Sequence, residues 1–155
     1  MSKDLILMIH PSLGVLAILA AVWLCAETLN VSAANQSRIR AASLAVAVLM
    51  WGAYVIGGYW YVNFYGVDKA LIKAGPWPFA HGFFMETKEH VFLVLLLLAT
   101  YLPIAARADL VASRGARQLV IGSSVLVVLF GLAMEGAGAF ISMGAKLGLL
   151  AKQLT

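Results

Sequence analysis

Four long apolar stretches, separated by short polar segments, dominate the pattern of the chain. They cover about residues 5–28, 41–65, 79–106 and 118–144. Each approaches or exceeds the roughly 20 apolar residues that a helix needs to cross the core of a bilayer. Strands of a membrane barrel would be shorter and would alternate apolar with polar residues. The pattern therefore predicts four membrane-spanning helices.

The polar segments between these stretches are short and carry residues that break helices. Asn35 lies in the first link, and Gly66, Gly75 and Pro76 lie in the second, so we expect the second helix to end before Gly66. Short links place consecutive helices side by side in opposite directions. The sequence therefore predicts an all-α fold, an up-down-up-down integral membrane bundle that forms a single transmembrane domain over residues 1–155.

Composition supports a membrane location and excludes several other classes. Hydrophobic residues make up 63% of the chain and charged residues 12%, against about half and a quarter in soluble domains. A small soluble domain could not bury such an excess, and a disordered chain would not contain it. The single cysteine excludes a disulfide framework within the chain, and no Cys-x-x-Cys-His motif for haem c is present.

Helix direction gathers the candidate ligands at one end of the bundle. The beginnings of the first and third helices share that end with the ends of the second and fourth. We call it the histidine end, because it contains all three histidines and most of the acidic residues that could bind a metal or a cofactor. These residues are His10, His81, His90, Glu86, Glu89 and Glu135.

The basic residues divide between the two ends by type. Five arginines lie in the first and third links, which we call the arginine end, and six lysines lie at the histidine end. Counting Lys and Arg alone does not choose an orientation, whereas net charge favours a cytoplasmic arginine end. We therefore expect a multi-pass protein of the bacterial inner membrane with a periplasmic histidine end.

His10 and His90 are the best-placed pair of histidines. His10 lies at the entrance of the first helix, and Gly14 follows one turn later on the same face. That glycine leaves room for a flat macrocycle, although small residues also let membrane helices pack closely. His90 adjoins the third apolar stretch at a similar depth. Since the first and third helices run parallel, we predict that these two imidazoles face each other.

A group of polar residues precedes the third apolar stretch. Glu86, Glu89 and His90 are spaced to share one helical face, which suits either a metal site or a histidine ligand oriented by a carboxylate. We expect Lys88 to be solvated. His81 is half a turn out of phase with His90 on a straight helix, so we interpret it as a ligand from a loop or as an interfacial histidine.

Glu135 is the costliest residue to place in a membrane. It lies roughly two turns inside the fourth stretch, where a carboxylate costs a few kcal/mol unless it is protonated or paired. It is therefore a neutral acid bonded to another helix, a ligand, a proton carrier or a quinone-facing acid. Tyr61 belongs to an aromatic cluster that is typical of an interfacial belt but could also line a quinone headgroup site.

In architecture the chain resembles the four-helix membrane cytochromes b, which are antiparallel bundles with histidines on two helices near one membrane face. The resemblance covers the four spans. It implies one haem b with His10 and His90 as axial ligands, Gly14 giving clearance and Tyr61 nearby. It also implies electron exchange with a quinone or with a partner redox subunit. Three histidines allow one ligand pair, so the chain departs from members with two haems.

Three other functions are compatible with the same residues. One is a non-haem metal site for copper, iron or manganese. Its ligands would come from His10, His81, His90, Glu86, Glu89 and Glu135. Another is proton or ion translocation by Glu135, Glu86 and the histidines without a metal. The last is a non-catalytic assembly subunit. The expected partners are the lipid bilayer and a homo-oligomer or larger redox complex, with no nucleic acid.

Overall fold

The computed structural model describes residues 3–154, and all its regular secondary structure in that range is helical. The elements are α1 (Lys3–Leu29), α2 (Gln36–Ala74), a π-helical segment (Ala80–Met85) that leads directly into α3 (Glu86–Ala105), and α4 (Arg114–Gln153). The four predicted helices are confirmed. All four, with the π-helical segment counted as the beginning of the third, are long and apolar enough to cross a membrane.

Two helices extend beyond their predicted ends. α2 passes through Gly66 and ends at Ala74, and α4 continues to Gln153. A glycine inside a helix costs only about 1 kcal/mol, and the actual stop is Gly75, whose backbone is extended. Ile72 in the added part of α2 is fully buried, so the helical periodicity continues after the apolar stretch has ended.

The four helices pack in a ring in chain order. α1 packs against α2, α2 against α3, α3 against α4 and α4 against α1, and α2 also contacts α4. Among these elements, α1 and α3 lie on the diagonal and do not pack together. Side chains from α1 and α3 can therefore approach each other only across the central axis of the bundle.

The π-helical segment replaces the loop that was expected around His81. The backbone N–H of Glu86 donates to the carbonyl of His81, five residues earlier, which is the hydrogen-bond spacing of a π-helical turn. His81 and Met85 point into the bundle and are buried. π-helical turns are frequent at functional sites, and this one belongs to the third helix rather than to a re-entrant loop.

Polar contacts fix the arginine end. The Asn35 side-chain amide is buried, donates to a Glu27 carboxylate oxygen at 2.8 Å, and accepts from the backbone N–H of Ser32 at 2.8 Å. Arg38 forms an ion pair with Glu27 at 3.1 Å. Glu27 thus acts as an anchor of the link between α1 and α2.

The outside of the bundle is apolar. Large aliphatic side chains are exposed on every helix, including Leu19, Val48, Leu97 and Leu129. The core between the helices contains small residues such as Ala17, which is fully buried and allows close approach of neighbouring helices. This distribution fits a multi-pass membrane protein, because lipid rather than water suits such a surface.

Candidate functional site

The side chains of His10, Lys88 and Glu135 converge inside the bundle from three different helices. Together with apolar residues that include Met50 and Phe92, they line one cavity of about 10 Å³. A cavity of that volume is large enough for roughly one water molecule when polar groups surround it. We call these three residues the central cluster.

Two members of the central cluster lie directly against glycines of neighbouring helices. The Glu135 carboxylate contacts Gly14 of α1 and occupies the space that a side chain there would fill. The His10 ring lies on Gly57 of α2, where an added Cβ would be 2.5 Å from Nδ1 and 2.6 Å from Cε1. The room left by Gly14 therefore accommodates a carboxylate of the chain itself, instead of the macrocycle considered from the sequence.

Lys88 also lies beside a glycine, Gly138 of α4, where an added Cβ would be 3.2 Å from Nζ. Its ammonium group interacts electrostatically with Glu135. In the part of the chain that the structure describes, no nitrogen–oxygen contact within 4.0 Å joins the two residues directly. The expectation that Lys88 is solvated is wrong, because the side chain points into the bundle and its stem packs among apolar residues.

The His10 ring has a defined orientation. Its Nδ1 atom lies 2.8 Å from the carbonyl oxygen of Ala53. A carbonyl oxygen only accepts hydrogen bonds, so Nδ1 carries a proton, and in the neutral ring Nε2 is left with a lone pair. His10 is therefore an oriented base with Nε2 as the atom that can accept a proton or bind a metal.

His90 lies elsewhere. It is exposed, and its Nδ1 atom donates to the carbonyl oxygen of Glu86, one turn earlier in the same helix, at 2.7 Å. His90 follows Lys88 by two residues, which is about 200° of helical rotation, so the two side chains leave α3 in different directions. The structure places Lys88, and not His90, beside His10.

This placement does not fit a haem held by His10 and His90. Both imidazoles would have to bind opposite sides of one macrocycle, yet His10 lines the interior cavity and His90 is exposed on α3. The cavity beside His10 measures about 10 Å³, far less than a macrocycle requires. The haem hypothesis stays a prediction.

A second group of polar residues surrounds the π-helical segment, and we call it the outer network. The Tyr65 hydroxyl lies 3.1 Å from His81 Nδ1, and His81 Nε2 lies 3.6 Å from a Glu86 carboxylate oxygen. Tyr61 stacks on Tyr65 with ring centroids 5.1 Å apart, and its hydroxyl faces Glu89. Tyr65 and His81 are buried, whereas Glu86 is half exposed and gives the network contact with the surroundings.

The residues considered as metal ligands are divided among these places. His10 and Glu135 belong to the central cluster, His81, Glu86 and Glu89 to the outer network, and His90 to the exposed surface. Among residues 3–154, no three His, Cys, Asp or Glu side chains form a group that could hold a metal ion. The non-haem metal site stays a prediction, and the structure does not bring its proposed ligands together.

No protein-family model, curated protein or solved structure matches the chain. The geometry of the central cluster and of the outer network is therefore the basis for arguing a function.

Proposed function

We propose that the chain is an integral membrane protein that takes up and passes on protons at the central cluster of His10, Lys88 and Glu135. The observation that carries this proposal is the meeting of three ionisable side chains from three helices inside an apolar bundle. Such groups are costly within a membrane, face the interior of a bundle, and mark proton or ion pathways.

The composition of the central cluster suits proton exchange. With Glu135 ionised, Lys88 charged and His10 neutral, the three side chains have no net charge. One proton added to a Glu135 carboxylate oxygen or to His10 Nε2 leaves a single positive charge. Close opposite charges limit the desolvation cost of the Lys88–Glu135 pair. A proton on His10 Nε2 keeps that pair, whereas a proton on Glu135 leaves the Lys88 ammonium as the single charge of the cluster.

The cavity supports proton movement within the cluster. Lys88 and Glu135 are coupled electrostatically without direct contact, and the cavity of about 10 Å³ between the lining side chains has the volume of roughly one water molecule. A water there would bridge Nζ of Lys88 and the Glu135 carboxylate. Its hydrogen bonds would carry a proton over a distance that the side chains do not span by themselves.

The interior is packed on both sides of the cluster. At the histidine end the buried side chains include Tyr65, Met85 and Ile141. Towards the arginine end the interior is filled by buried aliphatic side chains, such as Leu102, Val120 and Val127. The buried Ser124 hydroxyl there donates to the Val120 carbonyl of its own helix and does not bridge helices. We therefore propose that proton exchange with either end requires a second conformation in which this packing opens.

Proton flux into vesicles tests the proposal. The protein is reconstituted into liposomes containing a pH-sensitive dye, and a potassium gradient with valinomycin supplies the driving force. We expect a protein-dependent pH change. In Glu135→Gln the rate should fall at least about tenfold, the effect of losing about 1.4 kcal/mol of stabilisation in the limiting step.

Two histidine variants provide the matched comparison. His10→Ala should reduce the flux as Glu135→Gln does, whereas His90→Ala removes an exposed imidazole and should leave it unchanged. Flux equal to that of empty liposomes, or a wild-type rate in Glu135→Gln, would refute the proposal. A haem absorption band in the purified protein that is lost in both histidine variants would instead establish the haem ligand pair, and with it the electron-transfer function.

A further inference from the structure

A groove of about 650 Å³ lies on the outside of the bundle, in the half towards the arginine end. Its lining comes mainly from α3 and includes Leu93, Leu97 and Ile104, with Trp51 of α2 at one side. The Trp51 indole N–H donates to the Thr100 hydroxyl at 3.0 Å, so that pair of polar groups is satisfied. The groove therefore presents a mainly apolar surface.

Arginines gather at the end of this groove. Arg107 is exposed and follows Ile104 by one turn. Arg40 precedes Trp51 by 11 residues, about three turns on the same face of α2. The Arg40 side chain reaches the end of α3, where Nε and Nη2 donate to the carbonyls of Ala106 and Arg107 at 3.3 Å. Its other guanidinium N–H groups remain available for an anion.

The arginine end has an excess of positive charge. Among the residues that the structure describes, Arg38 is the arginine that forms an ion pair with a carboxylate. The Asp109 carboxylate accepts from the backbone N–H groups of Val111 and Ala112. The guanidinium groups of Arg40 and Arg107 are thus not neutralised by a bound carboxylate.

We propose that the groove binds an acyl chain of an anionic phospholipid whose phosphate is held by Arg40 and Arg107. From Leu93 to Ile104 the lining runs for about 16 Å along the helix axis, which is about half of a bilayer core of roughly 30 Å. One leaflet has this depth. An arginine near the membrane surface contributes about 1 kcal/mol to binding an anionic lipid, which corresponds to about a fivefold preference.

The test compares two lipids with identical acyl chains. Dioleoyl phosphatidylglycerol and dioleoyl phosphatidylcholine are titrated onto the purified protein in detergent, and bound lipid is counted by native mass spectrometry. We expect phosphatidylglycerol to be retained at least about fivefold more strongly. Arg107→Gln should remove most of this preference. Arg114→Gln removes an exposed arginine of the same end that does not line the groove, and it should preserve the preference.

A third variant separates the groove from general surface attraction. Ile104→Trp places a bulky indole ring in the groove and should reduce the retention of both lipids. Thermal unfolding of the lipid-free protein is the control for folding. The proposal would be overturned if the wild-type protein retained the two lipids equally, or if Arg107→Gln and Arg114→Gln lost the preference for phosphatidylglycerol to the same extent. Unchanged lipid retention in Ile104→Trp would also overturn it. These outcomes do not depend on proton flux.

Discussion

Replacing Gly57 by alanine should damage the central cluster more than alanine at any other glycine of α2. The Cβ of alanine would be 2.5 Å from Nδ1 and 3.1 Å from Cγ of His10. Those atoms belong to a rigid ring close to the backbone of α1, so the ring cannot yield as the end of a flexible side chain would. The imidazole must move away from α2 and lose its hydrogen bond to Ala53.

The expected cost follows from two terms. An added methylene in a tightly packed interior costs about 1–3 kcal/mol, and the His10 Nδ1–H left without its acceptor costs about 1–3 kcal/mol. Alanine regains up to about 1 kcal/mol through its higher helix propensity. The free energy of unfolding should therefore fall by about 1–6 kcal/mol, and Nε2 of His10 should leave the position in which it lines the cavity.

Gly58→Ala is the matched control, because an added Cβ at Gly58 meets nothing within 4 Å. Unfolding of both variants in mixed micelles with a denaturing detergent gives the difference in free energy, and the liposome assay gives the difference in flux. We expect Gly58→Ala to be neutral or slightly stabilising and to keep the flux. If Gly57→Ala behaves like Gly58→Ala in both measurements, the contact between His10 and α2 does not hold the cluster in place.

Three further substitutions test other parts of the structure. Lys88→Met should lower the liposome flux at least about tenfold by removing the charge that faces Glu135, whereas Lys146→Met, at an exposed position on α4, should leave the flux unchanged. Equal flux in these two variants would contradict the role of the Lys88 ammonium. Tyr65→Phe removes the hydroxyl that lies 3.1 Å from Nδ1 of the buried His81 ring, so the free energy of unfolding should fall by about 1–3 kcal/mol. An unchanged free energy would show that this hydrogen bond is not formed. Gly66→Ala should raise helix stability by up to about 1 kcal/mol, since nothing lies within 4 Å of an added Cβ there; a loss of stability would argue that α2 ends before this residue.

The number and order of the helices could be predicted because apolar stretches of this length have few alternatives in a membrane protein. Their ends could not, because hydropathy reports where a chain leaves lipid and not where its hydrogen bonding stops. The last turns of α2 show this, since Ile72 packs inside the structure while its neighbours Asp68 and Lys69 are polar.

The central cluster could be predicted only in part. His10 and Glu135 stand out because each is an isolated ionisable residue beside or within an apolar stretch. Choosing between Lys88 and His90 requires the rotation of α3 about its axis, and the π-helical segment changes that rotation before the helix begins. The glycines that lie opposite these side chains are the other sequence feature that marks the cluster. The sequence alone, however, does not show that Gly57 lies against His10.

The three glycine contacts connect the charge of the cluster to the packing of the helices. At Gly57 the rigid ring of His10 lies against α2, and at Gly14 the Glu135 carboxylate of α4 fills the space beside α1. The contact at Gly138 is looser and is made by the end of the long, flexible side chain of Lys88. A change of protonation in the cluster should therefore be accommodated first between α3 and α4. The π-helical segment at the start of α3 is the irregular turn at which that movement would begin, so the second conformation that the proposed proton transport requires is expected to differ most in α3.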